Sequence, residues 1–204
     1  GRDAQTLVGY EILGRGAHPH LSPSPGELFP LAESFDLATN LSETFRNAGV
    51  ANASKFAPHC YFLNIHPDEL KNTSKLFMSL EKLRQAYPAL KLVLEIHEEA
   101  VTNLNIMKLL FKTLSSLDIE LAYDDFGAGQ GRLLEFVEVP PKIIKFDQCL
   151  IKNIDQASQR HIKLLHSLIE IAKDMGTLTL AECVETAAEV ELCQKLGMDL
   201  FQGY

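Results

Sequence analysis

Two adjacent aspartates, Asp124 and Asp125, stand in ELAYDDFGAGQGR (residues 120–132), between a short apolar run and a glycine-rich turn. Neighbouring carboxylates repel, so gathering them in one folded place costs free energy unless positive charge is held there. Other apolar runs also end on polar residues: Glu11, Asn64, Glu95, Lys145 with Asp147, Glu182 and Gln202. Glu11, Asn64, Glu95, Asp124, Asp125 and Glu182 together offer five carboxylates and one amide oxygen. An oxygen-only donor set suits hard cations, Mg2+ first and Mn2+ next, rather than zinc. Asp124 and Asp125 are suited to bridging two ions, one carboxylate leaning to each. Paired dications about 3.5–4 Å apart clamp the attacking and leaving oxygens of a phosphoryl displacement. They also reverse the sign of an acidic cluster that would repel phosphate on its own. Lys145 fits such chemistry as a donor that orients the attacking water or steadies developing negative charge.

These residues can act together only if the fold brings them together. The apolar runs read as strands: TLVGYEIL, CYFLNI, KLVLEI, IELAYDD, KIIKFD, LTLAEC and DLFQGY. Helical patterns lie between them. One, over residues 67–87, opens with Pro67, Asp68 and Glu69, as a helix N-terminus should. Another, over residues 159–176, sets Ile162, Leu165, Ile169 and Ala172 on one face and ends at Gly176. Strands alternating with helices imply parallel pairing, because a parallel crossover generally needs a helix. In a closed barrel the C-terminal strand ends converge on one mouth, where barrel enzymes keep their active sites. The expected fold is therefore an α/β TIM-type (β/α)8 barrel, one domain over residues 1–204. Seven strands are visible where eight are needed, so the first is expected to precede Gly1 and the chain to be N-terminally truncated. A doubly wound open sheet is the alternative, but it would spread the polar ends along a row.

Each residue alone has a plainer reading. An acid at a strand end is most often a turn former or a helix cap. Asp147 is suited to capping the helix after KIIKFD, and His97 and Cys183 read as packing residues. It is the recurrence at the ends of successive strands that points to a site.

Bulk properties exclude other classes. The net charge of -8, with no Lys/Arg-rich run, argues against a surface that grips double-stranded nucleic acid. No apolar stretch approaches the roughly 20 residues that span a bilayer, and no signal-peptide core is visible, so a cytoplasmic location is expected. Cys60, Cys149, Cys183 and Cys193 show no CxxC spacing and read as reduced core thiols.

The motifs, taken in order, resemble the EAL-domain cyclic di-GMP phosphodiesterases. GYEILGR resembles the signature Glu-Ala-Leu-x-Arg, with Ile12 in place of alanine. FLNIHPDEL is similar to the Asn-x-Ser segment, with His66 where serine is usual, and LEIHEEA to the Glu-Leu-Thr-Glu segment. DDFGAG, IIKFD, AECVET and QGY match four further segments, and the likeness runs from about Gly9 to Tyr204. The resemblance implies hydrolysis of cyclic di-GMP to linear pGpG with two Mg2+ or Mn2+ ions. Carried over by position, Glu11, Asn64, Glu95 and Asp124 hold the first metal, and Asp124, Asp125 and Glu182 the second. Glu182 is also the candidate for activating water, and Lys145 would touch that water. Glu185 and Asp147 would orient Glu182 and Lys145, Arg15 and Gln202 would contact the nucleotide, and Glu98 would brace the loop after Asp125. A homodimer and further domains of a longer signalling protein, of which this is a cytoplasmic part, are implied as well.

Two departures stand out. Gln130, Gly131 and Arg132 replace the usual Tyr-Ser-Ser, and Cys183 replaces a glycine, which matters if the backbone there takes a positive φ. One rival is a catalytically weak or inactive receptor for the same nucleotide. It is disfavoured because none of the expected ligands is replaced. A protein kinase, suggested by ILGRGAH and DFG, fails for lack of a VAIK-like lysine and an HRD segment. A purely structural module leaves the acidic strand ends without a purpose.

Overall fold

The computed structural model describes residues 6–56, 59–97, 100, 103–129 and 133–203. The chain divides into two compact units, residues 1–95 with 112–119, and residues 96–111 with 120–204.

In the first unit β1 (Gly9–Ile12), β2 (Cys60–Asn64) and β3 (Lys91–His97, through Glu95) pair in parallel. The register sets Glu11 opposite Phe62 and Asn64 opposite Glu95. Between β1 and β2 lie α1 (Pro25–Glu33) and α2 (Ala38–Ala53). The helix expected over residues 67–87 forms as two pieces, a 3-10 turn at Pro67–Asn72 and then α3 (Thr73–Ala86). The division falls at Asn72, whose backbone leaves the helical region (φ -130, ψ 70) and whose side chain caps α3 by accepting from Lys75 N. An Asn at this position competes for backbone hydrogen bonds and begins a new helix rather than continuing the old one.

Leu63, Leu80, Val93 and Leu94 lie fully inside this unit. With them is a charged pair: Arg46 on α2 reaches both carboxylate oxygens of Glu69, at 3.1 and 2.8 Å. Glu69 also accepts from Ser42 Oγ at 2.6 Å and from His66 N at 3.1 Å. A buried ion pair survives when its spare lone pairs are met in this way. Here the bonds tie the turn just beyond Asn64 to α2.

After β3 comes α4 (Leu104–Ser116). The second unit carries β4 (Ile119–Phe126, from Glu120), β5 (Ile143–Phe146), β6 (Leu178–Val184) and β7 (Leu200–Gly203), paired in parallel in chain order. Its helices are α5 (Leu133–Glu138), α6 (Gln148–Ile151), α7 (Gln159–Asp174) and α8 (Ala187–Leu196). α7 buries Leu165, Ile169 and Ala172 and has Gly176 beyond its end at φ +70, as its sequence pattern predicts, while Ile162 of the same face is only half-buried and Ser158 caps the start. The strands are near-continuous apolar runs, the mark of a parallel sheet covered on both faces. Lys145 in the middle of β5 interrupts the pattern, although the residue is only 1% exposed.

All four cysteines are free thiols, but their burial differs from expectation. Cys193 is buried, Cys60 half-buried, and Cys149 and Cys183 are exposed. An apolar neighbourhood in the sequence does not guarantee burial at a strand end or in a short helix. No helix among the described residues is long and apolar enough to cross a membrane.

Candidate metal centre

A regular strand points successive side chains to opposite faces, so Asp124 and Asp125 should diverge. They do not, because β4 is bulged. Tyr123 pairs with Ile144 and Phe126 with Phe146, leaving both aspartates opposite the single residue Lys145. The extra residue is absorbed at Asp125, whose φ is +54. Aspartate is among the few residues that enter the left-handed region at modest cost. β6 repeats the device: Ala181 pairs with Phe201 and Val184 with Gly203, so Glu182 and Cys183 share one partner position, and Cys183 has φ +54. The glycine that Cys183 replaces in the family motif therefore stood where positive φ is needed. β7 comes so close to this bulge that a Cβ on Gly203 would collide with the Val184 carbonyl oxygen.

Together the bulges bring one carboxylate oxygen each from Asp124, Asp125 and Glu182 within 4.8 Å of one another. Lys145 Nζ stands among them, 2.7 Å from Asp124 Oδ1 and 2.9 Å from Glu182 Oε1. Burial, opposed by the Lys145 charge, lifts the Glu182 carboxyl from 4.5 to about 7. The Asp125 carboxyl moves the other way: its hydrogen bond with His97 holds it below the ordinary range against the pull of burial. His97 Nε2 lies 2.5 Å from Asp125 Oδ2 with the ring 42% exposed, so His97 is not the packing residue its sequence setting suggested. Three hard oxygen donors within 4.8 Å of one another fit a divalent ion by donor chemistry.

The remaining predicted residues fall as follows. In the first unit Asn64 Nδ2 donates to Glu11 Oε1 at 2.9 Å. Glu95 is 1% exposed and is the register partner of Asn64. Arg15 is exposed and donates to the Gly14 carbonyl at 2.8 Å. In the second unit Asp147 caps α6, its Oδ1 accepting from Cys149 N at 2.8 Å. Glu185 accepts from Lys152 Nζ at 3.2 Å, and Gln202 lies exposed on β7. Glu98 and the Gln130–Gly131–Arg132 segment lie outside the described residues.

Sequence reasoning passed over two bracing acids. Glu69 is described above. Glu189, 2% exposed, accepts from the backbone N–H groups of Glu185 and Thr186 at 2.9 Å and of Asn153 at 2.7 Å, fixing the loop after β6. Each closes a capping box, with His66 and with Thr186 respectively. The Thr-x-x-Glu spacing was a legible signal for Glu189, whereas a histidine opening the Glu69 box is not.

The EAL domain family matches residues 3–204, so the chain belongs to the EAL domain family. It is 29% identical over 99% of its length to PdeN of Escherichia coli K12, a probable cyclic di-GMP phosphodiesterase, and spans 40% of that protein. The PaMucR phosphodiesterase, solved with c-di-GMP, shares the fold at a TM-score of 0.85 and 23% identity, covering 97% of this chain and 83% of that one. BlrP1 of Klebsiella pneumoniae, solved with manganese and cyclic di-GMP, matches at a TM-score of 0.80 and 27% identity over 97% of this chain and 50% of that one. The α/β TIM-type barrel fold expected from the sequence is the fold the chain shares with these structures.

Proposed function

We propose that this chain is a Mg2+- or Mn2+-dependent phosphodiesterase that opens cyclic di-GMP to linear pGpG. The observation that carries the reading is the convergence of Asp124, Asp125 and Glu182, forced by two bulges, around the Lys145 ammonium in a member of the EAL domain family. Asp124, Asp125 and Glu182 would hold one divalent ion, and Glu11, Asn64 and Glu95 would offer the family's remaining oxygen ligands. Such ions supply Lewis acidity at a phosphoryl oxygen and favour loss of a proton from water near neutral pH.

The chain's own groups then do the following. Glu182, whose carboxylate lies beside Lys145 and the two aspartates, is the group suited to taking a proton from water on Oε. Lys145 keeps a positive charge beside Asp124 and Glu182, where it steadies negative charge on a phosphate oxygen. Asn64 donates to Glu11 and so holds the two side chains in a fixed relative orientation. Arg15 and Gln202 are the nucleotide contacts of this reading, Glu185 and Asp147 its orienting acids, and Glu98 its loop brace. The same reading places the chain in the cytoplasm, as part of a longer signalling protein that pairs with itself.

The test is incubation of the purified protein with cyclic di-GMP and Mn2+, followed by separation of products. Linear pGpG is the expected product, and Glu11→Ala is expected to abolish it. Tight binding of the nucleotide without turnover would instead establish a receptor, and undiminished hydrolysis by the Glu11→Ala protein would remove the metal assignment.

A further inference from the structure

A carboxylate can hold a metal with one oxygen only if something fixes the other. Asp125 is the ligand most in need of fixing. Its backbone sits at φ +54 in a bulge, and its side chain is 33% exposed. His97, at the end of β3 and in the same unit as Asp125, supplies the contact: its Nε2 lies 2.5 Å from Asp125 Oδ2. At this separation the carboxylate oxygen accepts and the ring nitrogen supplies the hydrogen, so Nε2 carries it and donates it to Oδ2.

The separation also decides between two roles for the imidazole. With ligand bonds of about 2.1 Å at right angles, two donor atoms on one octahedral ion stand about 3 Å apart. At 2.5 Å, Nε2 and Oδ2 are hydrogen-bonded to each other rather than spaced to share an ion. His97 is also not one of the groups whose ligand atoms gather with Asp124, Asp125 and Glu182. The family segment has threonine where this chain has His97, and a threonine hydroxyl has a shorter reach. This contact is therefore a feature of this sequence.

We infer that His97 is a positioning residue for metal binding: its Nε2–H occupies Asp125 Oδ2, leaving Asp125 Oδ1 as the oxygen offered to the divalent ion. This rests on the reading of Asp125 as a metal ligand. Hydrogen bonds to ligating side chains from beyond the metal's own ligands typically carry about 10–100-fold in affinity. The bond does this by removing rotational freedom from the carboxylate and making one oxygen the free donor.

The experiment is calorimetric titration of the full chain with Mn2+ alone, comparing the unaltered protein, His97→Ala and His97→Gln, alongside metal-free thermal unfolding of each. His97→Ala is expected to weaken Mn2+ binding about 10–100-fold, and His97→Gln, which keeps an N–H donor at similar reach, to recover most of that loss. Because His97 is half-exposed, the metal-free unfolding midpoints should agree within about 2 °C. Equal Mn2+ affinity in the Ala variant, equal weakening in both variants, or a loss that tracks a drop in the midpoint each overturns the role of His97 while leaving the metal centre standing. Absence of Mn2+ binding by the unaltered chain overturns the metal centre and this inference together.

Discussion

Lys145 and Glu182, from neighbouring parallel strands, meet at 2.9 Å inside the second unit, and the same ammonium lies 2.7 Å from Asp124. A buried cation thus neutralises the acids that the proposed metal would also neutralise. Removing one partner of such a group leaves an uncompensated buried charge. Lys145→Met is expected to destabilise the metal-free chain by about 3–5 kcal/mol at pH 8. Saturating Mg2+ should restore more stability to the variant than to the unaltered protein. Urea unfolding with and without Mg2+ measures both, and a variant as stable as the parent would contradict the arrangement.

The raised carboxyl of Glu182 makes metal-free stability depend on pH with a definite sign. Between 4.5 and about 7 the folded chain keeps a proton that the unfolded chain has shed. Stability from this group is therefore fully present below 4.5, falls as pH rises, and is lost above about 7. The displacement corresponds to about 3 kcal/mol. Asp125 has the opposite sign, but its carboxyl is lowered, so its contribution changes only below the ordinary carboxylate range. Denaturant unfolding from pH 5 to pH 8 should show the decline, and Glu182→Gln should flatten it.

Cys183 carries a side chain at φ +54, where glycine has no steric penalty. An L-residue there costs about 1–2 kcal/mol, of which glycine returns part through its looser unfolded state. Cys183→Gly is expected to stabilise the chain by about 0.5–1 kcal/mol. A lower unfolding midpoint in the glycine variant would mean that the thiol makes a compensating contact.

Arg46 and Glu69 form a buried bidentate pair, with Ser42 and the His66 amide on the same carboxylate. Arg46→Met strands that charge and is expected to cost about 3–5 kcal/mol. The double variant Arg46→Met with Glu69→Met should cost less than the sum of the two single changes. A double-mutant cycle that closes additively would show that the pair is not coupled.

Much of the fold was legible because parallel strands and their helices write local patterns. Every run read as a strand is one, and the Leu165, Ile169 and Ala172 stripe is the buried face of α7. The helix over residues 67–87 was misread as continuous because nothing in its periodicity signals that Asn72 caps a second start. His97 and Cys149 were misjudged for a related reason: type and neighbours suggest burial, but exposure depends on what covers a strand end.

The candidate site divides along the same line. The sequence by itself determined the donor chemistry, since oxygen ligands, a lysine and their places at strand ends are properties of the letters. The family resemblance added the hint that position 183 prefers glycine. Only the tertiary structure decided that Asp124 and Asp125 converge rather than diverge, that Lys145 lies between Asp124 and Glu182, and that His97 holds Asp125. A bulge is set by how one strand registers on the next, and a pKa by how much water the fold removes. Both arise between segments distant along the chain, where no local pattern can record them.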